Sequence, residues 1–357
     1  MIDLDNKQAV LKTQGGGAVL DSINALPNQL KQAWEESQKI DFPESYRNIK
    51  NIVVCGMGAS RFPAFITQQL LKEKISVPYT ISDNYTIPRY VNENTLFILS
   101  SYSGTTEEVL HNGKLALERN AKLTGLCSGG DVADFLKKNN CPVYVFNPKH
   151  NPSGQPRIGF GYGVGAHLGI LAKLGLINNA DIEINNAIQS LPNLLGSFSI
   201  DVKQENNPTK LVSKQIYETY PYFIVSEFLT GVGNALANQI NETSKSISSF
   251  RVIPELNHHL MEGLKFPSEL KKLAIFVFFF SHLYPLRVQK RFHITKDVVE
   301  QNNIKTIWIE LKGKTKTEQV FELMGFGSYM SMYLAALYNV NPALIPYVDY
   351  FKAKLKE

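Results

Sequence analysis

The chain has 357 residues, long enough for two domains of about 150 to 200 residues each. Hydrophobic residues make up 44% of it and charged residues 19%, which is typical of a globular protein with a sizeable core. The net charge is only +5, and the lysines are scattered rather than interleaved with aromatic residues. This composition argues against nucleic acid as a partner and suits an anionic small molecule.

Three cysteines lie in or beside apolar segments, without metal-ligand spacing: Cys55, Cys127 and Cys141. They are typical of core residues in a reducing compartment, so we expect a cytoplasmic protein. Asp3 and Asp5 stand where a signal peptide would need an apolar stretch, and we expect none. The most apolar segment, 274–280, is too short to cross a membrane and indicates a central strand.

The first half alternates apolar strand-like segments with helix-like segments, which favours a doubly wound parallel sheet. A helix interrupted by Pro27 is predicted over 21–38. The predicted strands are 52–55, 79–82, 96–99, 123–126 and 143–146. The predicted helices are 62–72, 107–119, 132–138 and 159–174. The polar segment 191–210 is the expected connection, so we divide the chain into domains of residues 1–195 and 196–357.

The second half repeats the plan. We predict a strand at 222–225, a glycine turn at 231–234 and a helix at 235–245, then a long closing helix at 319–338. Further strands are predicted at 250–253, 273–280 and 306–309. The expected fold class is α/β, with two domains that are each a mainly parallel sheet flanked by helices. A crevice between two such layers is a usual place for a small-molecule site.

Two loops of the first half have the groups that a phosphate ester needs. Residues 56–60 (GMGAS) follow the first predicted strand, and the hydroxyl-rich residues 100–106 (SSYSGTT) follow the third. Backbone N–H groups at a helix N-terminus, with nearby hydroxyls, bind an anion without a positive side chain. Both loops follow the carboxyl ends of strands, so they would converge on one crevice.

Each piece also has an ordinary explanation. Ser60 alone is more typical of a helix N-cap than of a binding residue. A dinucleotide site is poorly supported because Arg61 occupies the position of the third glycine in GxGxxG. The nucleoside-triphosphate motif GxxxxGK[ST] does not occur in the sequence.

The candidates for chemistry are a carboxylate, two histidines and an arginine. Glu242 in isolation is more typical of a solvated helix carboxylate. His258 and His259 have no partner at helical metal-ligand spacing, but a histidine titrates near neutrality and suits acid–base work. Arg157 is either a surface cation or an anion-binding group from a loop that bridges the domains.

Seven segments, in order along nearly the whole chain, resemble the bacterial and archaeal bifunctional phosphoglucose/phosphomannose isomerases of the sugar isomerase (SIS) superfamily. Any one match is weak, whereas all of them in order are specific. The segments are GMGAS at 56–60, SYSGTTEE at 101–108, SGG at 128–130, QPR at 155–157, NETSK at 241–245, PELNH at 254–258 and VDYFK at 348–352.

The resemblance implies a cofactor-free and metal-free isomerase that interconverts glucose 6-phosphate and fructose 6-phosphate, with mannose 6-phosphate also accepted. Glu242 would move a proton between C1 and C2 through a cis-enediol, and Arg157 would stabilise the enediolate. His258, donated by the other subunit of a homodimer, would open the sugar ring with Lys352, or with Lys354 as the alternative. The phosphate would be held by Gly58, Ser60, Ser101, Ser103 and Thr106.

The chain departs from the family pattern at a few positions. Thr105 stands where Asn is common, Thr243 and Ser244 replace a small Asn-Ala pair, and His259 replaces Asn. Two alternatives stay open: an isomerase of another phosphosugar in the same superfamily, or a non-catalytic regulatory protein that binds sugar phosphates.

Overall fold

The computed structural model describes residues 2–178 and 180–355. Nine strands among these residues form two sheets in which every pairing is parallel. The first sheet has the order β2-β1-β3-β4-β5 and the second the order β7-β6-β8-β9. The strands are β1 (Asn51–Cys55), β2 (Tyr79–Ser82), β3 (Thr95–Ser100), β4 (Lys122–Cys127), β5 (Val143–Val145), β6 (Tyr220–Ser226), β7 (Ser249–Ile253), β8 (Ala274–Phe280) and β9 (Lys305–Glu310).

Helices cover both sheets, and the longest, α13, is buried along nearly its whole length. The α-helices of the described residues are α1 (Lys7–Leu11), α2 (Gly16–Asn24), α3 (Leu26–Ser37), α4 (Arg61–Leu71), α5 (Glu107–Glu118), α6 (Gly130–Lys138), α7 (Phe160–Lys173), α8 (Ala180–Gly196), α9 (Pro208–Ile216), α10 (Thr230–Gln239), α11 (Leu270–Leu273), α12 (Leu286–Gln301), α13 (Lys316–Leu337) and α14 (Pro346–Lys354).

The predicted fold class is confirmed. Every predicted strand is present, with ends that differ by no more than two residues. The central strands β3 and β8 are buried at every position, as parallel strands covered on both faces must be. Pro27 lies in the first turn of α3, where its missing N–H costs nothing, and this explains the predicted break between α2 and α3.

The predicted glycine turn at 231–234 is wrong, because Gly231 and Gly233 lie inside α10. Both glycines permit close packing rather than a turn. A Cβ atom on Gly231 would lie 2.6 Å from the backbone of Ile66 in α4, and one on Gly233 would lie 2.6 Å from the side chain of Val225. Small residues therefore bring α10 against α4, and so join the two halves of the chain.

The polar segment 191–210 is also more ordered than a connection. Pro192 lies inside α8, which continues to Gly196, and α9 begins at Pro208. Asn207 caps α9 by accepting from the N–H groups of Thr209 and Lys210. The predicted boundary between residues 195 and 196 falls in the last turn of α8 and stays a prediction.

One helix of the described residues, α13, is long and apolar enough by length and composition to cross a membrane. All of its apolar window is buried inside the protein, as in the core helix of a globular fold. It packs against α8, α9 and α10. A capping box between Thr315 and Glu318 fixes its N-terminus.

We expect Gly231→Ala to lower the free energy of unfolding by about 1–3 kcal/mol, because the new methyl group has no room against α4. Urea denaturation followed by circular dichroism measures this. Gly17→Ala in α2 is the matched control, since its Cβ meets nothing within 4 Å, and it should be neutral or stabilising by up to about 1 kcal/mol. Equal stability of the two variants would contradict the close packing of α10 on α4.

Candidate active site

Glu242 lies on a single π-helical turn, Ile240–Ser244, that extends α10. Such turns are rare and often occur at functional sites. The turn ends at Lys245, whose backbone is left-handed (φ 56°). The Lys245 ammonium folds back and donates to the carbonyl oxygen of Glu242 at 2.6 Å and, more weakly, to that of Thr243 at 3.4 Å.

Arg157 is completely buried beside this turn, so it is not a surface cation. Its Nη1 lies 3.5 Å from a carboxylate oxygen of Glu242. Burial of a guanidinium is costly unless its N–H groups find acceptors, and here they do. The acceptors are Thr243 Oγ1 at 3.1 Å, Gln155 Oε1 at 2.9 Å, Pro342 O at 2.6 Å and Ala343 O at 2.8 Å.

The electrostatic balance at Glu242 suits a proton acceptor. Burial raises the pKa of the Glu242 carboxyl, and the positive charges of Arg157, Lys245 and Lys352 oppose that rise. Burial and the nearby Arg157 together lower the pKa of Lys245 to about 8. A carboxylate whose pKa is raised in a partly closed site is a candidate general base.

A cavity of about 440 Å³ opens directly at Glu242, within the size range of small-molecule sites. One wall contains Glu242 and Lys245, and the opposite wall is Ile345 to Val348 at the start of α14. The Glu242 side chain is 29% exposed, so it is accessible from the cavity. The described residues of α14 that carry Lys352 are exposed.

The two predicted phosphate loops are bound to each other. Ser60 does not cap α4; instead its hydroxyl oxygen accepts from the backbone N–H of Tyr102 at 2.8 Å. Ser100 donates to the carbonyl oxygen of Ser60, also at 2.8 Å. Because Ser60 uses its oxygen as an acceptor, its hydroxyl hydrogen can point toward an anion. Gly58, in the same loop, is exposed and has φ +49°, a conformation that favours glycine.

The hydroxyls of the second loop are not equivalent. Ser101 is completely buried, where it shares a hydrogen bond of 2.8 Å with Thr106 and accepts from the N–H of Gly104. Ser103 is exposed and contacts Thr105. Gly104 has φ +72°, and a Cβ there would overlap the carbonyl oxygen of Gly129. Ser101 therefore shapes the loop, while Ser103 and Thr106 have access to solvent.

A hydrogen-bonded path connects the second loop to Arg157. The Asn151 amide donates to the Tyr102 hydroxyl at 2.7 Å and to the carbonyl oxygen of Gln155 at 3.0 Å. The Gln155 side chain in turn accepts from Arg157. Sequence reasoning missed Asn151 because a single Asn in an irregular segment has no distinguishing pattern, and it left Lys245 without a role although the motif at 241–245 contains it.

The structure does not bring His258 to this cavity. Glu242 precedes β7 and His258 follows it, so the five residues of this strand separate them by roughly 17 Å along the sheet. The His258 side chain is exposed and forms no hydrogen bond or ion pair with any described residue. His259 pairs with Glu255 at 2.7 Å. Among the residues described, no group of three or more His, Cys, Asp and Glu side chains is placed to hold a metal ion.

Sequence and structure comparisons agree with this organisation. Residues 45–140 match the SIS domain, and residues 205–355 match the bacterial phospho-glucose isomerase C-terminal SIS domain. A solved structure of a hypothetical protein from Thermus thermophilus superimposes with a TM-score of 0.76 at 14% identity, covering 99% of this chain and 93% of that one. At that identity the likeness shows the fold alone.

Two curated relatives carry the same name, bifunctional phosphoglucose/phosphomannose isomerase. The protein from Aquifex aeolicus is 28% identical, over 91% of this chain and 94% of its own. The protein from Caldicellulosiruptor bescii is 30% identical, over 95% of this chain and 99% of its own. The match over almost both full lengths confirms the resemblance seen in the motifs: the chain belongs to the bifunctional phosphoglucose/phosphomannose isomerase family.

Proposed function

We propose that this protein interconverts glucose 6-phosphate and fructose 6-phosphate, and also accepts mannose 6-phosphate, by proton transfer at Glu242. The observation that carries the proposal is the partly buried Glu242 carboxylate, paired with the buried Arg157 at the wall of a cavity large enough for a hexose phosphate. Proton transfer beside a carbonyl needs a base and charge stabilisation, and these two residues supply both.

In the proposed reaction, the Glu242 carboxylate takes the proton from C2 of the open-chain aldose. The electron pair of the broken C–H bond forms the C1–C2 double bond, and the electron pair of the C1 carbonyl moves to O1 to give the enediolate. The hydroxyl proton of O2 passes to O1 by way of the cis-enediol, and the same carboxyl returns its proton to C1 as O2 becomes the carbonyl oxygen of the ketose. Arg157 supports this step as a fixed cation whose positive charge stabilises the negative charge of the developing enediolate. Return of the proton to either face of C2 would connect fructose 6-phosphate with glucose 6-phosphate and mannose 6-phosphate.

The phosphate group would bind at the two hydroxyl loops. Ser60 has a hydroxyl hydrogen free to donate, and Ser103 and Thr106 are accessible. The exposed Gly58 leaves the first loop open to the ligand. Ser101 would act through Thr106, because it is buried and already bonded to it.

Ring opening would use His258 from a second subunit, together with Lys352. The separation of Glu242 and His258 along β7 supports donation across a homodimer. An exposed apolar residue near the same segment also supports it: Asn257, the neighbour of His258, binds Thr295 on α12, and the adjacent Ile294 is 48% exposed. Lys352 is favoured over Lys354 because its charge acts on Glu242.

The protein would act in the cytoplasm, which the three unpaired cysteines support.

The decisive assay supplies fructose 6-phosphate to the purified protein with a chelator present and follows both aldose products separately. We expect glucose 6-phosphate and mannose 6-phosphate to form. Formation of glucose 6-phosphate alone would narrow the function to one pair of sugars. Turnover of only another phosphosugar would replace the proposed substrates, and binding without turnover would indicate a regulatory protein instead of an enzyme.

The role of Glu242 predicts that Glu242→Gln lowers kcat by about 10²–10⁴-fold, since the amide cannot accept the proton. Substrate binding should persist because the amide keeps the shape of the carboxylate. Calorimetric titration with fructose 6-phosphate checks the binding, and Glu93→Gln, at an exposed carboxylate before β3, is the control. A rate near that of the wild type would remove Glu242 from the mechanism.

Donation of His258 across subunits predicts complementation between two inactive variants. Heterodimers isolated with two affinity tags, one subunit Glu242→Gln and the other His258→Ala, should have about half of the wild-type rate, because one of the two sites is intact.

The control heterodimer has both substitutions in one subunit and none in the other. It should be inactive if the sites are shared, because each site then lacks one group. If each subunit completed its own site, the two results would be exchanged.

A further inference from the structure

Besides Arg157, a second cation lies next to Glu242, and the reaction above does not use it. Lys245 lines the cavity next to Glu242, whereas Arg157 is completely buried. The Arg157 N–H groups are taken up by Thr243, Gln155 and the carbonyl oxygens of residues 342 and 343, with Nη1 also facing Glu242. Arg157 can therefore act on a bound sugar through its field, but it has no free donor to give.

The Lys245 ammonium differs in this respect. It has three N–H donors, of which one is used on the carbonyl oxygen of Glu242 and a second only weakly on that of Thr243. Lys245 is exposed to the cavity, and its left-handed backbone turns the side chain back over the end of the helix. For a lysine this backbone conformation is strained, and the hydrogen bonds to the two carbonyl groups compensate for it.

We propose that Lys245 is a further active-site cation, which closes the π-helical turn that presents Glu242 and offers its remaining N–H donor to an oxygen of the bound sugar. The ammonium thus has two contributions. It fixes the carbonyl groups of Glu242 and Thr243, and it keeps a positive charge facing the carbon atoms at which the enediolate forms. This inference rests on the proposed isomerase function.

Three cations face Glu242, from three different elements. Arg157 approaches from the segment before α7, Lys245 from the end of the π-helical turn, and Lys352 from α14. Among these, Lys245 has its pKa lowered to about 8. Its charge is present below that pH and is lost as the pH rises through it, so the contribution of Lys245 disappears on the alkaline side.

The test compares Lys245→Met, which removes the charge at similar length, with Lys245→Arg, which keeps a charge that does not titrate. We expect the Met variant to lose kcat/KM roughly two- to five-fold at neutral pH, as for a cation removed from a helix C-terminus. The Arg variant should retain activity. Its kcat/KM should also persist above pH 8, where that of the wild type declines. Lys114→Met, at an exposed lysine on α5, is the control.

A second measurement does not depend on turnover. The ¹³C-carboxyl signal of Glu242, assigned by its loss in Glu242→Gln, gives the pKa of this group directly in each variant. Because Lys245 opposes the rise in the Glu242 pKa, Lys245→Met should titrate at higher pH than the wild type, and Lys245→Arg close to it.

Identical carboxyl titrations in the wild type and Lys245→Met would overturn the inference. So would an alkaline decline of kcat/KM that persists unchanged in Lys245→Arg. Absence of isomerase activity in the wild type would instead refute the proposed function, and the carboxyl titration would still decide whether Lys245 sets the charge at Glu242.

Discussion

The buried guanidinium of Arg157 is the constraint on which the rest of the site depends. A charge with no exposure is stable only if its donors are matched, and Arg157 finds its acceptors on three separate parts of the chain. Gln155 is its neighbour, Thr243 and Glu242 belong to the turn after α10, and residues 342 and 343 lead into α14. These parts must be in place together, so assembly of the site is coupled to the packing of the second half against the first.

The same argument explains why the candidate base is held so firmly. Glu242 lies on a π-helical turn that is fixed from both sides: Thr243 accepts from Arg157, and the carbonyl groups of the turn accept from Lys245. Gln239, one residue before the turn, donates to the carbonyl oxygen of Arg157. An irregular helix end without such partners would fray, whereas here the carbonyl groups of Glu242 and Thr243 have a partner, which helps to hold the turn that presents the carboxylate to the cavity.

Sequence reasoning predicted the strands well because buried parallel strands are short, continuous apolar segments with little ambiguity. It also placed the two hydroxyl-rich loops at strand ends, where the structure has them, and their binding of phosphate stays a prediction. It was wrong at Gly231 and Gly233, where glycine serves helix packing and not a turn, because the sequence does not show that the backbone of Ile66 and the side chain of Val225 lie opposite them. Likewise, Asn207 and Lys210 are polar residues of the predicted connection, but Asn207 caps α9. Lys210 is completely buried, and its ammonium donates to the carbonyl oxygens of Ile200 and Val202. Contacts between distant segments decide such cases.

The topology also limits what a single chain can do. In a parallel sheet each crossover helix runs antiparallel to its strands. The end of α10 therefore lies at the amino ends of the strands of the second sheet, and the residues after β7 lie at their carboxyl ends. Glu242 and His258 lie at these two opposite ends, and no side-chain rotation spans the length of β7, which is roughly 17 Å. Arg157, by contrast, comes after β5, at the end of the first sheet where the carboxyl ends of its strands lie. Its contacts with Thr243 and Glu242 bring that end against the amino-terminal end of the second sheet. A base and its fixed cation can therefore come from one chain, whereas a group placed after β7 of that chain lies roughly 17 Å from them, and this separation supports the proposed donation of His258 by another copy of the protein.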